Sequence, residues 1–245
     1  MAETAHGHLI TEDDTPLDNP FQERQQSILT DALYASWTDC ASFVAFKNVG
    51  LFGSISEQAV VPDVLLTLDV EVRPAESRAY FVWEYGRPPD LVVEIVSKTP
   101  GGEDSRKKQR YAQMGVPYYV VYNPFAFRGN RPLKAYQKHG IGYMDIANPT
   151  NLPELRLGLT IWDGSYQGLE GKYLRFLDAS GKMLATGQER AELESKRADQ
   201  ESQRAERLAQ KLRSLDWTLR PKANRKLPQS QAVARSGAAS TPAET

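Results

Sequence analysis

Between Pro20 and Trp37 the apolar residues Phe21, Ile28, Leu29, Ala32, Leu33 and Trp37 recur at helical spacing, which predicts an amphipathic helix. Asn19 before Pro20 suits an N-cap and first-turn pair. Residues 41–73 have strand character, in SFVAFKNVGLF and then AVVPDVLLTLDVEV. A connection holding Pro and Gly, with YFVWEYG inside it, leads to Pro89. DLVVEIVSKT is a short apolar run bounded by PP and PGG, the pattern of a buried central strand, with one charge inside it. In GGEDSRKKQRYAQMGVP, acidic residues in front, Gly115 behind and Pro117 beyond predict a helix of about three turns. YYVVYNP is the next strand, LKAYQKHG and GYMDIA form a hairpin around Gly140 and Gly142, and strand residues continue to about Trp162. The order α, β, β, β, α, β predicts a mixed α/β (α+β) domain of about 150 residues.

The flanks differ in character. Residues 1–20 are polar and read as a disordered leader, and the folded domain is assigned to 21–184. Residues 185–216 read as one charged helix, since QERAELESKRADQESQRAERLAQKLRSL lacks Gly and Pro. Ala191, Ala198, Ala205 and Leu212 recur at sevens, with Leu208 and Leu215 three residues after the last two. Small alanines make a weak coiled-coil seam, so a self-associating helix (a route to a homodimer) and a solitary solvated one both stay open. Residues 217–245, rich in Pro, Ser, Ala and basic residues, read as a disordered tail.

Composition narrows the classes. Net charge is −1, so no global basic field points to nucleic acid, and any such site must be a local patch. Cys40 is the only cysteine, which excludes a disulfide framework and a cysteine-based zinc site. His6 and His8 lie in the leader, leaving His139, which argues against a histidine-centred site. No apolar run approaches the roughly 20 residues needed to cross a bilayer. The acidic start lacks the features of a signal peptide, so a cytoplasmic protein without a membrane partner is expected.

The sharpest chemical signal is Glu94 inside LVVEIV, because an ionised carboxylate in an apolar strand is costly unless a cation or donors satisfy it. A buried salt bridge or a wet edge strand would also satisfy it. Asp63, at a strand opening in VVPDVLLT, is a second carboxylate. Asp90 shares the face of Glu94, yet four strand residues span roughly 13 Å, so one small ion cannot bridge the two directly. On the helix that follows, Glu103, Lys107 and Tyr111 are spaced by four and share a face. Lys107 either snorkels to solvent or turns inward to Glu94. Two carboxylates and a lysine suit phosphodiester hydrolysis with Mg²⁺, which favours a few carboxylates, waters and phosphate oxygens. Arg106, Lys107, Lys108 and Arg110 form either a phosphate-facing patch or a solvated helix face. No glycine-rich phosphate loop, Ser-His-Asp order or HExxH motif is present.

VPDVLL, PDLVVEIVSKT, GGEDSRKKQRYAQMGVPYYVVYNP and LRLGLTIWDGSY together resemble the Uma-type restriction endonucleases, a family abundant in cyanobacteria and part of the PD-(D/E)XK nuclease superfamily. The similarity runs from about Phe21 to Leu184. It implies a restriction-endonuclease-like core: a mixed β-sheet flanked by helices, here followed by a long C-terminal helix. By the resemblance, Asp63 and Glu94 bind the metal (Mg²⁺, with Mn²⁺ as a substitute) and Lys107 completes the catalytic set. The supporting residues are Glu23 on the first helix, Asp90, Ser97, Glu103 with Asp104 beside it, and Tyr111. The simple ExK form would place lysine two residues after Glu94, where Val96 stands, and the family moves that role to the following helix. Lys98, at the far end of the strand, is a poor substitute. The implied activity is a metal-dependent endonuclease hydrolysing DNA phosphodiester bonds. The alternative is a catalytically inactive binding or assembly protein on the same scaffold.

Overall fold

The computed structural model describes residues 20–38, 42–71, 79–96, 106–125 and 131–219. Helix α1 (Pro20–Ser36) opens the fold, as the apolar spacing predicts, and buries Phe21, Ile28, Leu29, Ala32 and Leu33 along one stripe. Strands β1 (Phe43–Lys47), β2 (Gly50–Phe52) and β3 (Val64–Leu68) follow. The YFVWEYG connection is itself structured: β4 (Ala79–Phe81) pairs in parallel with β2, and α2 (Val82–Tyr85) is a single turn closed by Gly86 at φ 73°. Next come β5 (Leu91–Ile95), α3 (Lys108–Met114), β6 (Tyr118–Tyr122), β7 (Leu133–His139) and β8 (Gly142–Ile146).

The main sheet has the order β1-β3-β5-β6-β7-β8, with β5 and β6 parallel and the other neighbours antiparallel. β3, β5 and β6 are buried along their whole length, which is why they read as continuous apolar runs rather than alternating ones. Each face of the sheet carries its own core. On one, Val64, Leu66, Val93 and Val120 pack with α1 residues Ile28, Leu29 and Leu33. On the other, Leu65, Val92, Tyr119 and Val121 pack with Tyr111 of α3.

Helix α3 is two turns long within the described residues, preceded by a wide turn at Arg106–Lys107. Gly115 ends it at φ 88°, where its N–H donates to Ala112 O and the N–H of Val116 donates to Tyr111 O. That paired arrangement needs a left-handed residue at Gly115, the conformation glycine adopts without strain.

The chain also holds more strand than the apolar pattern reveals. β9 (Gly158–Tyr166) and β10 (Leu169–Leu177) form a nine-pair hairpin reaching well past Trp162. Its two-residue turn, Gln167–Gly168, has φ of 48° and 75°, the two positive values that match the twist of a tight hairpin. The final helix, α4 (Gly187–Leu219), is continuous, and residues 190–215 are exposed along it. The chain divides into two compact units, residues 1–192 and 193–245. Among the described residues no helix is long and apolar enough to cross a membrane.

Candidate active site

β3 and β5 pair Val64 with Val93 and Leu65 with Val92. Asp63, the residue just before β3, accepts the backbone N–H of Ile95, the residue after Glu94, which brings the two acids to the same end of β5. Asp63 is 8% exposed and Glu94 is 1% exposed.

Each carboxylate has its own donors. Asp63 Oδ1 accepts from Gln22 Nε2 at 2.9 Å and Gln26 Nε2 at 2.6 Å, both on α1. Asp63 Oδ2 accepts from the backbone N–H of Ile95 at 2.6 Å. Glu94 Oε1 accepts from the Tyr111 hydroxyl at 2.6 Å, and Oε2 accepts from Lys107 Nζ at 2.9 Å. Lys107 Nζ also donates to Val61 O at 3.0 Å. Of the two open readings of Lys107, the inward one holds.

Burial, with a smaller push from Asp63, outweighs the pull of the Lys107 ammonium and the Tyr111 hydroxyl and leaves the Glu94 carboxyl raised to about 7. The Tyr111 hydroxyl is held well above its ordinary value by burial and by Glu94.

The other site candidates lie elsewhere. Asp90 takes the N–H of Leu68 on Oδ2 at 2.8 Å and pairs with Arg87, so it fixes the entry to β5 and does not join the pair of acids. Its carboxyl is raised by burial against the pull of Leu68 and Arg87. Glu23 accepts from Ser27 Oγ at 3.0 Å and lies 3.7 Å from Lys47 Nζ; α1 reaches Asp63 through its glutamines instead. Ser97, Lys98, Glu103 and Asp104 lie outside the described residues. Among the described residues no third His, Cys, Asp or Glu joins Asp63 and Glu94.

The donor set suits a hard divalent cation. Four carboxylate oxygens offer two lone pairs each, and the five protein donors on them leave lone pairs on Asp63 Oδ2 and on both Glu94 oxygens. Mg²⁺ binds through one or two carboxylates and keeps its waters and substrate phosphates for the remaining positions. Asp63 and Glu94 are the residues that would hold it.

The Uma2 family model, described as "Putative restriction endonuclease", matches residues 1–159. The chain belongs to this family. No curated protein matches it. The match covers every element that builds the site, and the six-stranded sheet with flanking helices is consistent with the PD-(D/E)XK superfamily.

In this Uma2 chain three site residues carry no obvious signal in the sequence. Gln26, fully buried, exchanges two amide hydrogen bonds with Asn48, at 3.0 and 2.9 Å, while donating to Asp63. Asn48 sits at φ 52°, a left-handed position that asparagine tolerates, and its backbone N–H donates to Asp63 O at 3.2 Å. Gln22, one turn before Gln26, shares the same carboxylate oxygen. The available clue was a four-residue spacing of glutamines on the apolar side of an amphipathic helix.

Proposed function

We propose that this Uma2 chain is a divalent-metal-dependent endonuclease that hydrolyses DNA phosphodiester bonds. One observation carries the reading: Glu94 is buried, its neighbour Ile95 donates its N–H to Asp63, and the Lys107 ammonium meets Glu94 at 2.9 Å. Once Glu94 has lost its proton, the buried acid pair with a single lysine against it carries net negative charge, which a divalent ion offsets. When bound, Mg²⁺ or Mn²⁺ supplies Lewis acidity that neutralises charge on the phosphate. Asp63 and Glu94 hold and orient the ion, and the amide donors of α1 fix the Asp63 rotamer. Lys107 keeps a positive charge at the same point and stabilises charge developing on the phosphate oxygens. Tyr111 holds Glu94 from the core side.

The test is cleavage of plasmid DNA with Mg²⁺ or Mn²⁺ by the wild type and by Asp63→Asn, Glu94→Gln and Lys107→Met. Cutting by the wild type, with a loss of about 10²–10³-fold in kcat for Lys107→Met, supports the reading. Equal activity in folded Glu94→Gln and wild type would mean that another site or a contaminant cuts.

The scaffold alternative also has an observation behind it: every oxygen of Asp63 and Glu94 already accepts a protein hydrogen bond, so the fold satisfies its acids without an ion. A folded wild type that binds no divalent ion and cuts no DNA selects that alternative.

A further inference from the structure

The row that holds Glu94 continues across the sheet. Glu94 pairs with Val121 on β6, and Val121 pairs with Lys134 on β7. Directly opposed residues project to one side, so Glu94, Val121 and Lys134 form a transverse line on a single face. Tyr136 confirms the side independently. It lies two residues after Lys134, so the two share a face, and its ring stacks with Tyr119 in the core that also holds Tyr111. With strands spaced 4.7–4.9 Å apart, the Lys134 backbone lies roughly 10 Å from that of Glu94, a gap that its flexible four-carbon stem shortens.

Neighbouring cations are already engaged. Lys107 is on Glu94, Lys108 lies over the Tyr136 ring at 3.4 Å, Arg131 pairs with Asp145 at 2.7 Å, and Lys138 donates to Gly140 O at 2.8 Å. Lys134 is half-buried, and its ammonium makes no hydrogen bond or ion pair among the described residues. Apolar Val121 stands between it and Glu94, whose ion-pair partner is Lys107.

We propose that Lys134 binds a backbone phosphate of the nucleic acid beside the bond to be cut. This rests on the nuclease reading above. The substrate is a polyanion approaching two carboxylates, and a half-buried lysine in line with Glu94 supplies the attraction that the chain's near-zero net charge does not. A phosphate contact fixes where the strand lies without reading its sequence.

The experiment measures binding of the full chain to several short duplexes of different sequence, by fluorescence anisotropy over a salt series, without added divalent ion. Lys134→Gln is compared with Lys134→Arg and with Lys182→Gln, an exposed lysine beyond β10 that undergoes the same charge change. Lys134→Gln should weaken binding about 3- to 10-fold for every duplex and reduce the salt slope by about 1, while Lys134→Arg and Lys182→Gln stay near wild type. In cleavage, Lys134→Gln should raise KM and leave kcat close to wild type. An unchanged slope in Lys134→Gln, an equal loss in Lys182→Gln, or a wild type that does not bind duplex DNA would overturn the assignment. A wild type that binds but does not cut with Mg²⁺ or Mn²⁺ overturns the nuclease reading alone, and the slope comparison still decides Lys134.

Discussion

Gln25 and Gln26 are adjacent, both fully buried, and opposite in purpose. Gln25 imitates a strand neighbour: its amide donates to Leu174 O at 3.0 Å and accepts the Leu174 N–H at 2.8 Å. Gln26 faces Asp63 and Asn48 instead. Replacing either by leucine leaves buried polar partners unmade and should cost about 1–3 kcal/mol, read from urea or thermal unfolding. Only Gln26→Leu should also weaken Mn²⁺ binding, by about 10–100-fold, because an outer donor that orients a metal-holding carboxylate is lost. Equal Mn²⁺ affinity in the two variants would show that Gln26 serves packing alone. This contrast also marks the limit of the sequence at this scale. Glu94 was legible because a charge inside an apolar strand requires an explanation, and Asp63, at a strand opening, because the VPDVLL motif resembles the family's. A glutamine on a helix looks solvated, and what it touches depends on strands 22 to 149 residues away in the chain.

At the scale of elements, α1 and α3 were legible from helical spacing or a recognisable stop such as Gly115, and β5 and β6 from short apolar runs with clear boundaries, such as the PP before β5. β10 was not, because LEGKYLRFL mixes charge and glycine into a strand. Its Arg175 is fully buried yet ionic, paired with Glu189 at 2.7 Å and donating to Leu184 O at 2.6 Å. The same Glu189 closes the start of α4: its carboxylate accepts the Thr186 N–H at 2.7 Å, and the Thr186 hydroxyl accepts the Glu189 N–H at 3.2 Å. Burial raises the Glu189 carboxyl, but its bonds to Arg175 and Thr186 outweigh this and leave it lowered overall. Glu189→Ala therefore removes a cap and strands a buried guanidinium. Because Glu189 itself is about a third exposed, we expect a loss of about 2–4 kcal/mol, toward the lower part of the range for a broken buried pair. Adding Arg175→Met should recover part of that loss, since the orphaned charge goes with it. A double variant no more stable than Glu189→Ala would show that the cap, not the ion pair, dominates. The measurement is equilibrium urea unfolding of the three variants.

At the scale of the whole molecule, the buried acid links stability to pH and to the metal. Glu94 ionises near its ordinary value in the unfolded chain and at about 7 in the fold, so the native state holds an extra proton between those values. Its contribution to stability is fully present below about 4.5 and is lost as pH rises through about 7, a change of roughly 3 kcal/mol. Without divalent ion, the wild-type Tm should therefore fall between pH 5.5 and pH 8 relative to Glu94→Gln, which has no proton to lose there. A divalent ion that binds Asp63 and Glu94 must displace that proton below about pH 7 and meets an ionised carboxylate above it, so Mn²⁺ should raise Tm more at pH 8 than at pH 5.5. Glu94→Gln should lose both the pH slope and most of the metal effect. The two signs oppose each other: rising pH weakens the ion-free fold and strengthens the ion-bound one. No general surface titration produces that crossing, so parallel melting curves for wild type and Glu94→Gln, with and without Mn²⁺, would remove Glu94 as the linked group and with it the pair of acids as the metal-holding centre.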